Sequence, residues 1–317
     1  MSALRTLFFG TPGFAVPSLR ALATAGFPVV GVVTQPDRPR GRGQKPSPGP
    51  VKSFALANGL TVLQPERLKD EPFLETLRAL APDLGIVAAY GKILPVAVLD
   101  LPRLGLVNVH ASLLPRWRGA SPVHRAVMSG DDETGVSIMR VVQALDAGAV
   151  FDRARRPIGP NETSEAVEHD LAELGARLLM TVIARIERRE AVETPQDEAG
   201  VTYAPRLTRE DGVISWNAPA AAIHNQVRGL YPWPHAVTVL HGERVIVLET
   251  STEGAQETVT SETTPGDVLA IRHDGIVVAT GDRPLRLLRL QAEGRRPVTA
   301  REFAAGARLV PGTRFGR

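Results

Sequence analysis

The sequence predicts an α/β protein with a parallel sheet in its first half and a smaller all-β barrel in its last third. The first half alternates short apolar runs with helical segments, which is typical of parallel strands joined by crossover helices. The last third contains short alternating segments separated by Gly or Pro turns, which favours a small barrel. The length of 317 residues is about twice a typical domain of roughly 150 residues, so we expect two domains.

The elements of the first half follow from their patterning. Apolar runs predict strands at residues 6–9, 29–34, 61–64, 84–88, 106–110 and 135–141. Helical periodicity predicts helices between them at residues 16–25, 51–58, 66–80 and 122–129. Apolar side chains then recur at steps of three to four from Val167 to Ile186, which predicts a long amphipathic helix over residues 163–189 that begins near a Thr or Ser cap.

The periodicity stops after this helix. Residues 193–209 mix Pro, Thr, Asp, Glu and Gly without a period, which is typical of a linker. We therefore predict a first domain at 1–190, a linker at 191–208 and a second domain at 209–317. In the second domain we expect one helix at 218–230 and strands at 236–240, 244–249, 267–271, 275–279 and 285–290.

The composition excludes several classes of protein. Hydrophobic residues make up 43% and charged residues 22%, which is close to the average for globular proteins and unlike disordered or collagen-like chains. Cysteine is absent, which removes disulfides, thiolate nucleophiles and Cys-ligated zinc. No apolar run approaches the roughly 20 residues that a bilayer span needs, and the first apolar run is too short for a secretory signal. We therefore expect a cytoplasmic protein without membrane contact.

Positive charge is concentrated in two places. The formal net charge is only +3, but basic residues, nearly all of them arginine, cluster at 38–45 and again at 283–317. Localised positive charge of this kind fits a polyanion such as a nucleic acid.

A glycine-containing turn follows the first predicted strand. The turn at 10–13, GTPG, follows a strand and leads into a helix, where main-chain N–H groups hold anions. It is not GxGxxG, and no acidic residue ends the second strand, which disfavours a nicotinamide cofactor. A tight strand-to-helix turn without a ligand is the alternative.

Asn108 and His110 are the strongest local signal. Because side chains of a strand alternate between faces, both point the same way at the carboxyl end of a predicted strand, where open α/β sheets bind ligands. Asp146 follows the next strand, and if it reaches His110 it will hold the imidazole and favour its protonated form. Each residue alone is also consistent with a structural role: a satisfied polar pair for the first two, a turn residue for the third.

Together these residues resemble the methionyl-tRNA formyltransferase family over nearly the whole chain. The segments that carry the resemblance are FFGTPGFAVPSL, TQPDRPRGRGQK, VAAYGKILP, NVHASLLPRWRGASP, ETGVSIM, LDAGAV and YPWP. The resemblance implies a Rossmann-like formyltransferase domain followed by a C-terminal barrel of the oligonucleotide-binding (OB) type.

The resemblance also implies a reaction and its residues. The formyl group of 10-formyltetrahydrofolate passes to the α-amine of methionyl-initiator tRNA, with Asn108, His110 and Asp146 as the catalytic trio. The expected folate contacts are Ser112, Leu113, Leu114 and Pro115. The expected tRNA contacts, on the long basic loop after the second strand, are Arg38, Arg40, Arg42 and Lys45. We expect no metal, because the other histidines lack ligand spacing, and no obligate protein partner.

Other functions remain open at this point. A folate-dependent formyltransferase acting on an amino sugar of a nucleotide would share the trio, but it has little use for the basic loop at 38–45. A formyl-folate hydrolase would carry a further N-terminal domain, and a purine-pathway formyltransferase would lack the basic C-terminal half. A non-catalytic tRNA-binding protein is the alternative from another class. Arg116 and Arg118 either border the site or cover it.

Overall fold

The computed structural model describes residues 4–40, 45–254 and 263–316. These residues belong to two compact units. The first unit comprises Met1–Pro122, Thr134–Arg156 and Glu168–Ala204, and the second comprises Val123–Glu133, Pro157–Val167 and Pro205–Arg317. Two short segments from the middle of the chain therefore belong with its C-terminal third.

Up to residue 204 the chain forms eleven strands and six α-helices among the described residues. The strands are β1 (Thr6–Gly10), β2 (Val29–Val33), β3 (Arg38–Arg40), β4 (Lys45–Ser47), β5 (Val62–Leu63), β6 (Leu84–Ala88), β7 (Leu106–His110), β8 (Arg118–Gly119), β9 (Glu133–Arg140), β10 (Val150–Pro157) and β11 (Tyr203–Ala204). The helices are α1 (Val16–Thr24), α2 (Pro50–Ala57), α3 (Glu71–Leu80), α4 (Val96–Leu99), α5 (Pro122–Ser129) and α6 (Ser164–Glu187).

A seven-stranded sheet in the order β10-β9-β7-β6-β1-β2-β5 forms the centre of the first unit. The strands β7, β6, β1, β2 and β5 are parallel, whereas β9 runs antiparallel to β7. The chain leaves β1 towards β2 on one side and returns to β6 on the other. The carboxyl ends of the parallel strands therefore meet at one edge, where such sheets bind ligands.

The predicted α/β class is confirmed, with two additions at the β9 side of the sheet. The antiparallel direction of β9 was not expected, although such strands at the side of a parallel sheet are common. Strand β10 was not predicted, because its sequence, VFDRARRP, carries several charged residues. It forms one edge of the sheet, and charged side chains on an edge strand prevent pairing with other chains.

Helix α6 packs closely behind the strands that carry the candidate site. A Cβ atom at Gly175 would lie 2.7 Å from Cγ1 of Val109 and 3.3 Å from Cγ1 of Val136. Only glycine lets the helix backbone approach β7 and β9 this closely. The same helix buries Leu171, Ala172, Ala176, Leu179, Val182 and Ile183.

The second unit contains a smaller antiparallel sheet. Its further elements are α7 (Ala220–Gly229), β12 (Ala236–Leu240), β13 (Glu243–Ser251), β14 (Val268–Arg272), β15 (Gly275–Val278), β16 (Leu285–Ala292), β17 (Val298–Thr299) and α8 (Ala300–Gly306). The strand order is β12-β13-β16-β15-β14, with β17 paired to β16. A smaller β-rich second domain is therefore confirmed, and its assignment as an OB-type barrel remains a prediction.

Helix α8 was not predicted from the sequence. Thr299 and Glu302 form a capping box at its start, in which each side chain accepts a hydrogen bond from the backbone N–H of the other residue. The T-x-x-E spacing was the available signal.

Across the described ranges, no helix has the length and apolar character needed to cross a bilayer.

Candidate active site

Strand β7 presents Asn108 and His110 on one face, as alternation requires. His110 is 5% exposed. Its Nε2 lies 3.0 Å from the carbonyl oxygen of Trp117, and because a carbonyl only accepts hydrogen bonds, Nε2 carries a proton. The side chain of Asn108 is half-buried.

Asp146 lies close to His110 because the loop after β9 runs back along β7. Because β9 is antiparallel, its last residue, Arg140, pairs with Val107 near the start of β7. The loop at 141–149 therefore runs back towards the end of β7 and places Oδ2 of Asp146 3.8 Å from Nδ1 of His110. This distance permits an ion pair when His110 is protonated, but it is too long for a hydrogen bond.

The turn at 117–119 orients both side chains through its main chain. The Trp117 carbonyl accepts from His110, and the Gly119 N–H donates to Oδ2 of Asp146 at 2.8 Å. Gly119 has a φ of +126°, and a Cβ atom there would lie 2.7 Å from the carbonyl oxygen of Ala204. The turn thus requires glycine at this position.

The predicted folate segment is a tightly bonded loop after β7. The Ser112 hydroxyl donates to the carbonyl of Arg116 at 2.6 Å, and the Leu114 carbonyl accepts from Nε of Arg153 at 2.8 Å. Both Ser112 and Leu114 are buried. Leu113 and Pro115 are half-buried, so part of each side chain remains accessible.

Ser137 fixes this loop and was not singled out from the sequence. Its hydroxyl donates to the Ser112 carbonyl at 2.7 Å and accepts from the Leu114 N–H at 3.0 Å. Ser137 is fully buried and lies opposite His110 in the β7–β9 register. A small polar residue within the apolar strand GVSIM was the signal that pointed to it.

The loop that carries Asp146 also borders a cavity. The cavity has a volume of about 750 Å³ and is lined by Gln143 from this loop, by Lys69 and Lys92, and by apolar residues that include Leu68 and Leu94. Small-molecule sites usually have volumes of about 300–1,000 Å³.

The predicted tRNA loop contains a two-stranded antiparallel ribbon. Strands β3 and β4 pair Arg38 with Ser47 and Arg40 with Lys45, and Arg38 is exposed. The ribbon follows β2 and so starts at the edge of the sheet where β7 also ends. Arg42 lies outside the described residues.

Ion pairs anchor the base of the ribbon and neutralise part of the basic C-terminal segment. Lys52 contacts Asp37 at 2.6 Å before the ribbon begins. In the C-terminal segment, Arg314 contacts Asp267 at 2.5 Å, and Arg286 is paired with Asp274. Arg286 and Arg314 therefore form ion pairs within the second unit. The sequence did not reveal these pairs, because both aspartates lie outside the basic cluster at 283–317.

Arg118 is the buried residue of the turn at 117–119. It is 4% exposed, and its guanidinium contacts Glu198 at 2.8 Å. Of the two sequence alternatives for Arg118, bordering the site fits its place between Trp117 and Gly119, whose main-chain groups contact His110 and Asp146. Within the described ranges, no group of three or more His, Asp or Glu side chains is arranged to hold a metal ion.

Comparison with known proteins gives the family. The model for the formyl transferase domain matches residues 4–183, and the model for the formyl transferase C-terminal domain matches residues 206–308. A methionyl-tRNA formyltransferase of Moorella thermoacetica is 48% identical over 314 residues, covering 99% of each chain. One of Symbiobacterium thermophilum is 47% identical over 318 residues, covering 98% of this chain and 95% of the relative.

A solved structure supports the fold. WlaRD, a sugar 3N-formyl transferase crystallised with dTDP and 5-N-formyl-THF, aligns with a TM-score of 0.66 at 16% identity, covering 92% of this chain and 99% of that chain. At this identity the likeness concerns the fold alone. Because the formyl transferase model matches more than half of the sequence and the relatives align along nearly their whole length, the chain belongs to the methionyl-tRNA formyltransferase family.

Proposed function

We propose that the chain transfers the formyl group of 10-formyltetrahydrofolate to the α-amino group of methionyl-initiator tRNA, in the cytoplasm, giving N-formylmethionyl-tRNA for translation initiation. The observation that carries this proposal is the approach of Asp146 to His110, 3.8 Å apart, beside Asn108 in a member of this family. Folate and the charged tRNA are the two substrates.

The reaction needs no nucleophilic side chain. An α-amino group titrates near 7.7–8.0 in peptides, so a usable fraction of the methionyl amine is neutral at physiological pH. Its nitrogen attacks the formyl carbon and forms a tetrahedral oxyanion. Collapse of that intermediate breaks the bond to N10 of the folate, while one proton passes from the attacking amine to N10.

Asn108 and His110 stabilise the oxyanion in this proposal. The Asn108 amide donates from β7, and protonated His110 donates from Nδ1, since Nε2 is committed to the Trp117 carbonyl. Loss of one such donor typically costs about 2.7–4 kcal/mol of transition-state stabilisation. The position of Nδ1 on the side facing Asp146 supports this assignment.

Asp146 relays the proton. N10 is attached to an aromatic ring and leaves poorly as an anion, so proton transfer must accompany its departure. Oδ2 of Asp146 accepts from the Gly119 N–H, which leaves Oδ1 for the relay, directly or through water. General acid–base catalysis of this kind contributes about 10²–10⁴-fold.

The substrates are assigned to two neighbouring regions. We assign folate to Ser112, Leu113, Leu114 and Pro115, with the cavity of about 750 Å³ beside the Asp146 loop as additional space. We assign the acceptor end of the tRNA to the ribbon residues Arg38, Arg40, Arg42 and Lys45. The exposed position of Arg38 supports a phosphate contact.

A transfer assay with radiolabelled 10-formyltetrahydrofolate tests this function. The acceptors are initiator tRNA charged with methionine, elongator tRNA charged with methionine, and an amino sugar attached to a nucleotide. We expect label in the initiator tRNA and little in the other two. Label in the sugar would favour a sugar formyltransferase, and tRNA binding without transfer would favour the non-catalytic alternative.

A further inference from the structure

The segment after helix α6 contacts the loop that carries Asp146. The side-chain Nε2 of Gln196 donates hydrogen bonds to the main-chain oxygens of Asp146 and Gly148, both at 2.8 Å. The sequence predicted this region as a linker, yet both contacts lie within the first unit. We propose that Gln196 is a positioning residue, which sets the place of the Asp146 carboxylate by fixing the main chain on which it stands.

Asp146 needs such support because its backbone is unfavourable. Its φ is +45°, in the left-handed region that is unfavourable for residues other than glycine and persists only when the surroundings hold it. Gln196 uses both protons of its amide on carbonyls two residues apart, on either side of Ala147. The bridge therefore spans the turn in which the carboxylate stands.

The Gln196 amide is itself oriented by a buried cation. Its Oε1 accepts from Nε of Arg118 at 3.1 Å, while the other guanidinium nitrogens of Arg118 bind Glu198. Since a guanidinium only donates, the oxygen of Gln196 must face Arg118 and its NH2 group must face the two carbonyls. Exchanging the oxygen and nitrogen of the Gln196 amide would place donor against donor at Arg118 and acceptor against acceptor at the two carbonyls.

Arg118 also connects this contact to the rest of the site. It lies between Trp117, whose carbonyl holds His110, and Gly119, whose N–H holds Asp146. The main chain of Arg118 donates to the carbonyl of Thr202 at 2.9 Å. Hydrogen bonds thus connect the segment 196–204 to the turn 117–119, whose main chain contacts the His110 imidazole and the Asp146 carboxylate.

The inference rests on the proposed function and is tested with Gln196→Met, which keeps the length of the side chain and removes its hydrogen bonds. We expect the single-turnover rate of formyl transfer to fall by about tenfold to 100-fold, since displacements near 1 Å in a catalytic group have effects of this size. The KM values for folate and tRNA should remain within about twofold.

A double variant separates positioning from a general loss of structure. If Gln196 acts through Asp146, then Gln196→Met in an Asp146→Asn background should cause no further loss of rate, because groups that act as a unit are non-additive. A purely structural role would lower the rate by a similar factor in both backgrounds.

Gln226→Met is the matched control. Gln226 makes the same kind of bridge in the second unit, where its Nε2 donates to the main-chain oxygens of Asp211 and Val213. We expect it to lower the melting temperature without changing the rate at saturating substrates. A wild-type rate for Gln196→Met, or losses that multiply with Asp146→Asn, would overturn the inference. A wild-type chain that does not formylate methionyl-tRNA would instead overturn the proposed function.

Discussion

His110 and Asp146 are both oriented by the main chain of residues 117–119. The Trp117 carbonyl accepts a hydrogen bond from Nε2 of His110, and the Gly119 N–H donates to Oδ2 of Asp146. In the proposed mechanism, the atoms left to act on the substrates are Nδ1 of His110 and Oδ1 of Asp146. Because both anchors are backbone groups, their geometry depends on the shape of one turn and not on the identity of most side chains in it.

A buried histidine in the second unit makes stability depend on pH. His224 is 7% exposed, with Nδ1 2.8 Å from the Thr250 hydroxyl and Nε2 2.9 Å from the Pro160 carbonyl. Burial, with a contribution from the charge of Arg228, lowers the pKa of His224 below its usual 6.5. The unfolded chain then binds more protons, so stability is complete above about pH 6.5 and falls as the pH drops towards the folded pKa.

His224→Gln should weaken this pH dependence. Urea denaturation at pH 7.5 and 5.5 should show a smaller difference in unfolding free energy for the variant, by at most about 1.4 kcal/mol per pH unit, the value for one proton. His235, whose pKa is also lowered by burial and by Arg244, should keep part of the slope. Exposed His273→Gln is the control, and an unchanged slope in His224→Gln would contradict the assignment.

At the level of elements, helix α6 sets the position of strand β7, which carries Asn108 and His110. Its backbone approaches β7 at Gly175, where a methyl group would meet Val109 at 2.7 Å. The next residue of β7, His110, points to the opposite face and into the site. A displacement of the helix therefore moves β7 and the two side chains that it presents.

Gly175→Ala should destabilise the protein although alanine favours helices. Overpacking typically costs about 1–3 kcal/mol, which exceeds the gain of up to about 1 kcal/mol from helix propensity. We expect a net loss of about 1–2 kcal/mol of unfolding free energy in urea denaturation. The matched control is Gly306→Ala in α8, where a Cβ meets nothing within 4 Å; it should be neutral or stabilising. Equal effects of the two substitutions would contradict the close approach at Gly175.

Most elements were predictable because their patterns are local. Strand β7 was predicted at residues 106–110 and is observed over Leu106–His110, since its apolar alternation is complete within the segment. The antiparallel direction of β9 was not predictable, because apolar periodicity is the same in both directions. The start of the third helix was predicted at residue 66 but lies at Glu71, because Pro72 fits the first turn of a helix and not its interior.

At the scale of the whole molecule, the question is which of the two units contains the regions proposed to bind folate and tRNA. The two units each have their own core, and the basic ribbon belongs to the first unit with the trio. In the proposed function, the trio and the contact with the acceptor end therefore lie in the same unit. The second unit has exposed arginines, such as Arg283 and Arg301.

Arg38→Ala should weaken tRNA use without affecting folate. Each phosphate contact releases a counterion, so loss of one should raise the KM for tRNA and reduce the slope of log affinity against log salt by about 1. The KM for 10-formyltetrahydrofolate should not change. Arg78→Ala is the control, since Arg78 is already paired with Glu71 on α3. An unchanged salt slope, or a loss of folate affinity, would remove Arg38 from the tRNA site.

The candidate site was only partly accessible to sequence reasoning. Residues 108 and 110 could be paired from strand alternation, and residue 146 from its place after the next strand. The roles of Ser137, Gly119 and Gln196 depend on contacts between segments far apart in the chain, and the buried bonds of Ser112 depend on how its loop closes. Neither composition nor periodicity contains that information.

The most direct measurement is the single-turnover rate of formyl transfer to methionyl-initiator tRNA by Asp146→Asn, at saturating 10-formyltetrahydrofolate and with the melting temperature measured alongside. The substitution keeps the size of the side chain and removes its capacity to take up a proton. We expect a rate at least about 100-fold below wild type with a melting temperature close to wild type. A rate near that of wild type would show that the carboxylate beside His110 does not take part in the transfer.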